Sequence, residues 1–161
     1  MPDNFTEKSL LTGVILAGGR ATRMGGQDKG LMSLNGQCMV EYVIAALRPQ
    51  VGNILISANR NIAQYAQLSE CPVLPDTFGH YEGPLAGMAT TLAKAQTDYV
   101  LFVPCDSPLL SPQLAERLYT GLIQANASVS VADDGKRLHP VFSLLKRGLL
   151  NDLLAFLKTG E

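Results

Sequence analysis

The sequence is short of several things, and each shortage removes a class of protein. It has three cysteines, Cys38, Cys71 and Cys105, an odd number at wide spacing with no Cys-x-x-Cys. A disulfide framework and a zinc site are therefore excluded. It lacks a basic excess: the formal net charge is −1, which argues against nucleic acid as a partner. It lacks any apolar run near the roughly 20 residues that a membrane span needs. Met1 to Lys8 is polar and carries both charge signs, so no signal peptide is expected, and the expected setting is the reducing cytoplasm. It lacks internal repeats and low-complexity segments. With 47% hydrophobic and 17% charged residues, the 161-residue chain has the makings of one well-packed domain, 1–161, rather than a disordered one.

What is present is concentrated in one stretch. Between Gly18 and Leu31 there are five glycines (Gly18, Gly19, Gly25, Gly26, Gly30) and three cations (Arg20, Arg23, Lys29). An apolar run, Val14 to Ala17, leads directly into it. Glycines let backbone N–H groups approach a phosphate closely, and Arg and Lys supply countercharge. The stretch therefore reads as an anion cradle for a nucleoside triphosphate. It matches neither the Walker A pattern nor the G-x-G-x-x-G dinucleotide fingerprint. The alternative is a surface loop whose glycines only make turns.

Around this cradle, strand and helix patterns alternate. Met1 to Ser9 is expected to be a loose tail. Leu10–Ala17 reads as a buried strand, Leu31–Leu34 as a short extended piece, and Asn35-Gly36 as a turn. Met39, Val40, Val43, Ile44 and Leu47 recur at helical spacing until Pro49. Strands follow at Asn53–Ala58, Val73-Leu74, Tyr99–Val103, Ser128–Val131 and Val141–Leu145, with a turn at Asp133-Asp134-Gly135. Helices are expected over Ile62–Leu68, from Pro84 through Leu92, through Leu114, Leu118 and Leu122 with Ser111-Pro112 as cap and first residue, and over Leu149–Leu157 with Gly160 at its end. The alternation predicts an α/β fold: a three-layer, Rossmann-like arrangement around a mostly parallel sheet. In such sheets ligands bind beyond the carboxyl ends of the strands. That edge should gather the glycine-rich loop, Ser57 to Asn59, Asp76 and Asp106.

Each candidate has a plain alternative. Asp106, after the Tyr99–Val103 strand, is placed to hold Mg²⁺ together with phosphate oxygens, or else to cap a turn. Asp76 could contact a ribose or base, assist a metal, or close an Asx-turn into Thr77. Glycines around Pro84 serve either ligand approach or tight helix packing. His139-Pro140 lacks an evident partner and is not assigned to catalysis, nor is Cys105 as a nucleophile.

Taken together, Leu16-Ala17-Gly18-Gly19-x-x-x-Arg23-Met24-Gly25-Gly26-x-Asp28-Lys29-Gly30, Gly83-Pro84-Leu85-Ala86-Gly87-Met88, Pro104-Cys105-Asp106-x-Pro108 and His139-Pro140 resemble, in order, the segments of the molybdenum cofactor guanylyltransferase family. The resemblance covers nearly the whole chain. It implies a nucleotide-diphospho-sugar-transferase type of fold and transfer of GMP from GTP to molybdenum-bound molybdopterin, with pyrophosphate released. It implies GTP contacts at Leu16, Ala17, Gly18, Gly19, Lys29, Ser57, Asp76 and Asp106, with Mg²⁺ at Asp106, and catalytic roles for Arg23, Lys29 and Asp106. Ser57 stands where the family often has Asn, and Asn59 is the nearby substitute. The family normally continues past Glu161 with another strand and an Asn-containing segment; the sequence here is expected to be a fragment or a short member, with binding of the second substrate most affected. Expected partners are the two small-molecule substrates, with transient contact to molybdenum-insertion proteins or acceptor-enzyme chaperones, on a monomer that touches neither nucleic acid nor membrane. The rivals are a molybdopterin cytidylyltransferase, a sugar- or alcohol-phosphate nucleotidyltransferase, and a nucleotide-binding module without turnover.

Overall fold

A computed structural model describes residues 5–17, 28–77 and 84–159. The first strand, β1 (Leu11–Leu16), is preceded by a short 3₁₀ helix, Thr6–Leu10. A two-stranded ribbon, β2 (Ser33–Leu34) and β3 (Gln37–Cys38), follows the glycine-rich stretch and leads into helix α1 (Met39–Leu47). Next come β4 (Asn53–Ser57), α2 (Ile62–Ser69), β5 (Val73–Leu74), α3 (Pro84–Lys94) and β6 (Tyr99–Pro104). The chain continues through α4 (Leu114–Gln124), β7 (Val129–Asp133), β8 (Leu138–Lys146) and α5 (Leu150–Lys158).

Six strands form one sheet in the order β5-β4-β1-β6-β8-β7. The first four are mutually parallel, β8 runs antiparallel to β6, and β7 antiparallel to β8. The sheet is therefore mostly parallel with an antiparallel hairpin on one side. Period-2 alternation divides its side chains between two helical layers. Leu11, Ile15, Ile54, Ile56, Leu101 and Val103 pack with Val40, Val43 and Leu47 of α1, Tyr65 of α2, and Leu118 and Leu122 of α4. On the other face Val14, Leu55, Val100 and Phe102 pack with Met88 and Leu92 of α3 and with Leu150 and Leu153 of α5. Gly13 lets α1 lie close: a Cβ there would sit 2.8 Å from Leu47 Cδ2.

Two buried polar groups fix how the layers meet. Gln50 is 1% exposed, and its amide is fully used. Its Nε2 donates to Ala46 O and Ser111 O, each at 2.9 Å, and its Oε1 accepts from Ala115 N at 2.9 Å. The end of α1 is thus fastened to the loop that leads into α4. Thr12, also buried, donates to Asn53 Oδ1 at 2.9 Å and shares a 2.7 Å hydrogen bond with Thr97, linking β1 to both sides at the amino edge of the sheet.

The structure departs from the sequence reading in three places. The segment before β1 is not loose from residue 5 onward: Phe5 is buried and meets the Tyr119 ring edge-on, and Leu10 closes the 3₁₀ turn rather than opening the strand. Helix α4 starts at Leu114, because Ser111 spends its hydroxyl on Gln113 N in a turn before the helix. Strand β8 begins at Leu138, ahead of Val141. It tolerates Pro140 because the β7–β8 register shifts between Val131 and Ala132, leaving an irregular stretch without a ladder bond for proline to break. The hairpin turn is where the sequence places it, with Gly135 at φ +87°. Gly160, expected at the end of the last helix, lies outside the described residues.

Candidate active site

The sheet register puts the expected site residues on one edge. Leu16 pairs with Ser57 of β4 and with Pro104 of β6, so three strands end in one row. Backbone bonds carry that row one residue further, from Ala17 N to Ser57 O at 2.8 Å and from Cys105 N to Leu16 O at 3.2 Å. Asp106 follows at once, and Asp76 comes soon after Leu74, the β5 partner of Ser57. Leu16, Ala17, Lys29, Ser57, Asp76 and Asp106 therefore share the carboxyl edge. Gly18, Gly19 and Arg23 lie outside the described residues.

The second half of the glycine-rich stretch is held from below. Asp28 Oδ1 accepts from the Tyr65 hydroxyl at 2.5 Å and from Gly30 N at 3.3 Å, while Asp28 Oδ2 accepts from Asn61 Nδ2 at 3.3 Å. Tyr65 is fully buried and comes up from α2. Burial first, then the hydrogen bond to Asp28, pushes its hydroxyl well above the usual phenol range, so it stays a donor. Directly above it only glycine fits at position 30. A Cβ on Gly30 would be 2.5 Å from the Tyr65 hydroxyl oxygen and 3.0 Å from Cys105 Cβ.

Lys29, fixed between Asp28 and Gly30 in a short 3₁₀ turn, reaches across to the end of β6. Its Nζ lies 4.0 Å from Asp106 Oδ2, with the two side chains 54% and 35% exposed. A pair so long and wet is weak, and both groups remain open to a ligand. Asp106 does not cap α4, which begins only at Leu114. A single carboxylate in this position suits Mg²⁺, which binds through one or two carboxylates and completes its shell with substrate phosphates and water. Among the described residues no cluster of three or more His, Cys, Asp or Glu could cage a metal without such phosphates.

On the other side of β1, Asn59 and Asp76 clasp each other. Asn59 Nδ2 donates to Asp76 Oδ2 at 2.9 Å, and Asp76 N donates to Asn59 Oδ1 at 2.8 Å. The Asx-turn alternative for Asp76 does not hold, since Thr77 N goes to Thr90 Oγ1 at 3.0 Å. Asp76 Oδ1 is shielded from solvent and has no hydrogen-bond partner among the described residues, which makes it an acceptor in need of a donor. Gly87 of α3 packs against the same spot: a Cβ there would lie 2.5 Å from Ser57 Oγ and 3.4 Å from Asp76 Oδ1. Here the glycine serves close helix packing directly under two candidate binding residues.

Two residues set aside as catalysts are now placed. Cys105 is buried, and its thiol is pushed up to about 12, mainly by burial and then by the charges of Asp106 and Asp28. It is a poor nucleophile at neutral pH. His139 does have a partner: its Nε2 lies 2.8 Å from Asp134 Oδ2 at the tip of the β7–β8 hairpin. That bond, with amide bonds from Arg137 and Lys136, holds the Asp134 carboxyl well below its usual range.

Residues 13–161 match the family model of the MobA-like NTP transferase domain. The chain belongs to this family. The molybdenum cofactor guanylyltransferase of Shewanella loihica is 50% identical over 148 residues, which cover 92% of this chain and 75% of that protein. Molybdopterin-guanine dinucleotide biosynthesis protein A from Archaeoglobus fulgidus shares the fold, with a TM-score of 0.76 at 18% identity over 92% of this chain and 74% of its own. A Mycobacterium tuberculosis protein solved in complex with manganese shares it with a TM-score of 0.64 at 17% identity, over 89% and 74% of the two chains. The chain is a nucleotidyltransferase of the MobA-like type, and its fold is the expected mostly parallel α/β one.

The pattern did not disclose Tyr65 and Asn61 as parts of the site. Tyr65 reads as one more apolar position of a short helix. The usable signal was Asn59-Arg60-Asn61 directly after a strand, since Asn61 adopts φ +55°, a conformation that Asn tolerates better than most residues.

Proposed function

We propose that the chain transfers the GMP unit of GTP to molybdopterin, giving the guanine dinucleotide form of the cofactor and pyrophosphate. The observation that carries this reading is the meeting of Lys29 and Asp106, 4.0 Å apart, on the ligand edge of the sheet. That the relatives are named guanylyltransferases supplies the base and the acceptor.

A terminal phosphate oxygen of molybdopterin attacks the α-phosphorus of GTP in line. A new O–P bond forms, the bond from the α-phosphorus to the bridging oxygen breaks, and pyrophosphate leaves with the electron pair. The nucleophile is already anionic, so no strong general base is required. This agrees with a protonated Cys105 and with a His139 engaged by Asp134. Catalysis then rests on positioning and on stabilising charge.

Each residue then takes a role. The backbone from Leu16 through Gly18 and Gly19 lies against the triphosphate, and Arg23 and Lys29 bear the charge that develops on pyrophosphate. Asp28 fixes the backbone from which Lys29 projects, and Tyr65 and Asn61 fix Asp28. Ser57 and the unpartnered Oδ1 of Asp76 take the nucleoside. Asp106 holds a divalent ion, Mg²⁺ in our reading, which when bound neutralises phosphate charge at the reacting centre. The test is pyrophosphate release with GTP, Mg²⁺ and molybdopterin together. Release that requires all three is expected. Equal release with CTP in place of GTP, or GTP binding without any release, contradicts the reading.

A further inference from the structure

A cleft of about 430 Å³ lies beside the site and has no part in the scheme above. One wall is the loop that follows Asp106, with Pro108, Leu109 and Leu110, and the start of α4 at Leu114. The other wall is the β7–β8 hairpin, with Ala132 and Phe142 beneath and Asp133, Asp134 and His139 at the rim. Leu109 stands at its lip, 95% exposed.

The sheet order gives this cleft a meaning. Along the carboxyl edge, Asp76 and Ser57 stand at β5 and β4, the glycine-rich stretch begins at β1, and Asp106 follows β6. Strand β8 is antiparallel to β6, with Phe102 paired to Ser143, so its start and the end of β7 lie at that same edge. With the nucleoside on the β4–β5 side and the phosphates at β1 and β6, the cleft at β8 and β7 is the next station. A group joined to the α-phosphate through its own phosphate, and extending away from the nucleoside, falls there.

We infer that this cleft holds the pterin ring of the acceptor substrate. The inference rests on the guanylyl-transfer reading and assigns its second substrate a place within the described residues. The wall is built in advance. Leu110 is buried in the core, and Gln50 fastens Ser111 and Ala115 on either side of Leu114. The opposite rim is stiffened by three hydrogen bonds to Asp134, from His139, Lys136 N and Arg137 N. Pro108, Leu109, Leu114 and Phe142 give a flat heterocycle apolar surface to lie on. Carboxylates at the rim suit the amino-pyrimidinone edge of a pterin, which presents neighbouring N–H donors. Guanine presents a similar edge, and the order along the sheet is what separates the two.

Leu109→Asp tests this at a residue whose exposure spares the fold. Ala155→Asp, on the exposed face of α5, adds the same charge away from the cleft. The probes are pterin-6-carboxylate, followed by its own fluorescence, and GTP, followed by calorimetry. The expected result is that Leu109→Asp weakens pterin binding at least about tenfold, leaves the GTP dissociation constant within twofold, and raises KM for molybdopterin, while Ala155→Asp changes none of these. The inference is overturned if the wild-type protein does not bind the pterin, if Leu109→Asp binds it as wild type does, or if GTP binding falls in parallel. A wild type that binds the pterin with this pattern but releases no pyrophosphate leaves the cleft assigned and removes the reaction instead.

Discussion

The Tyr65 hydroxyl and the Asp28 carboxylate, 37 residues apart in sequence, meet at 2.5 Å beneath the turn that carries Lys29. This contact ties helix α2 to the loop that supplies the cation of the site. Tyr65→Phe removes one of three bonds to Asp28 and leaves a partly buried carboxylate under-satisfied. The expected cost is about 1.5–3 kcal/mol, the range for hydrogen bonds to charged groups. Because Lys29 is the residue set adrift, kcat should fall more than KM for GTP rises. Thermal unfolding with steady-state kinetics checks this. A stability loss with unchanged kcat would assign Tyr65 to packing alone.

Gly87 sits where a Cβ would reach Ser57 Oγ at 2.5 Å, closer than real contacts allow. Gly87→Ala should lower both Tm and GTP affinity, because the nearest atoms belong to Ser57 and Asp76. Replacing Ser57 by Ala in the same chain removes the clashing oxygen, and the next atom, Ser57 Cβ, lies at an ordinary 3.5 Å. The double variant should regain Tm but not GTP affinity. Recovery of both properties would show that Ser57 does not contact the nucleotide.

Cys105 is buried with its thiol pushed up to about 12, and Tyr65 is shifted in the same direction. An unfolded thiol ionises from roughly pH 8.5. Above that pH the native state binds more protons than the unfolded one, so stability falls as pH rises. The contribution is fully present below about pH 8.5 and is lost progressively toward pH 12. Denaturant midpoints across this window should decline, and Cys105→Ala should flatten part of the slope. In alkylation at about pH 8, just below the ordinary thiol range, the half-buried Cys38 and Cys71 should react well before Cys105.

The strands were legible in the sequence for a physical reason. Within Asn53–Ser57 and Tyr99–Pro104, apolar residues follow one another without alternation, which is how strands buried on both faces read. Ile54 and Ile56 accordingly join the core under α1 and α2, while Leu55 between them joins the core under α3. The ligand edge was legible too, because the glycines, Asp76 and Asp106 each follow such a run. The Asp28–Tyr65 and Asn59–Asp76 contacts were not, since they join segments 37 and 17 residues apart through side-chain direction, which periodicity does not encode. Phe5 was hidden for a similar reason: one apolar residue in a polar stretch shows no period, and its place is set by packing against Tyr119. The late start of α4 turned on a single hydroxyl, Ser111, that satisfies a turn instead of a helix end.

The central claim is that Lys29, opposite Asp106 on the ligand edge, stabilises the charge that develops during GMP transfer. Its most direct test is pyrophosphate release by Lys29→Ala at saturating GTP and molybdopterin. By analogy with removal of one oriented donor from a site of developing charge, the rate should fall on the order of 10²–10³-fold, with Tm unchanged because the 4.0 Å pair is exposed. Turnover within a few-fold of wild type would contradict the account.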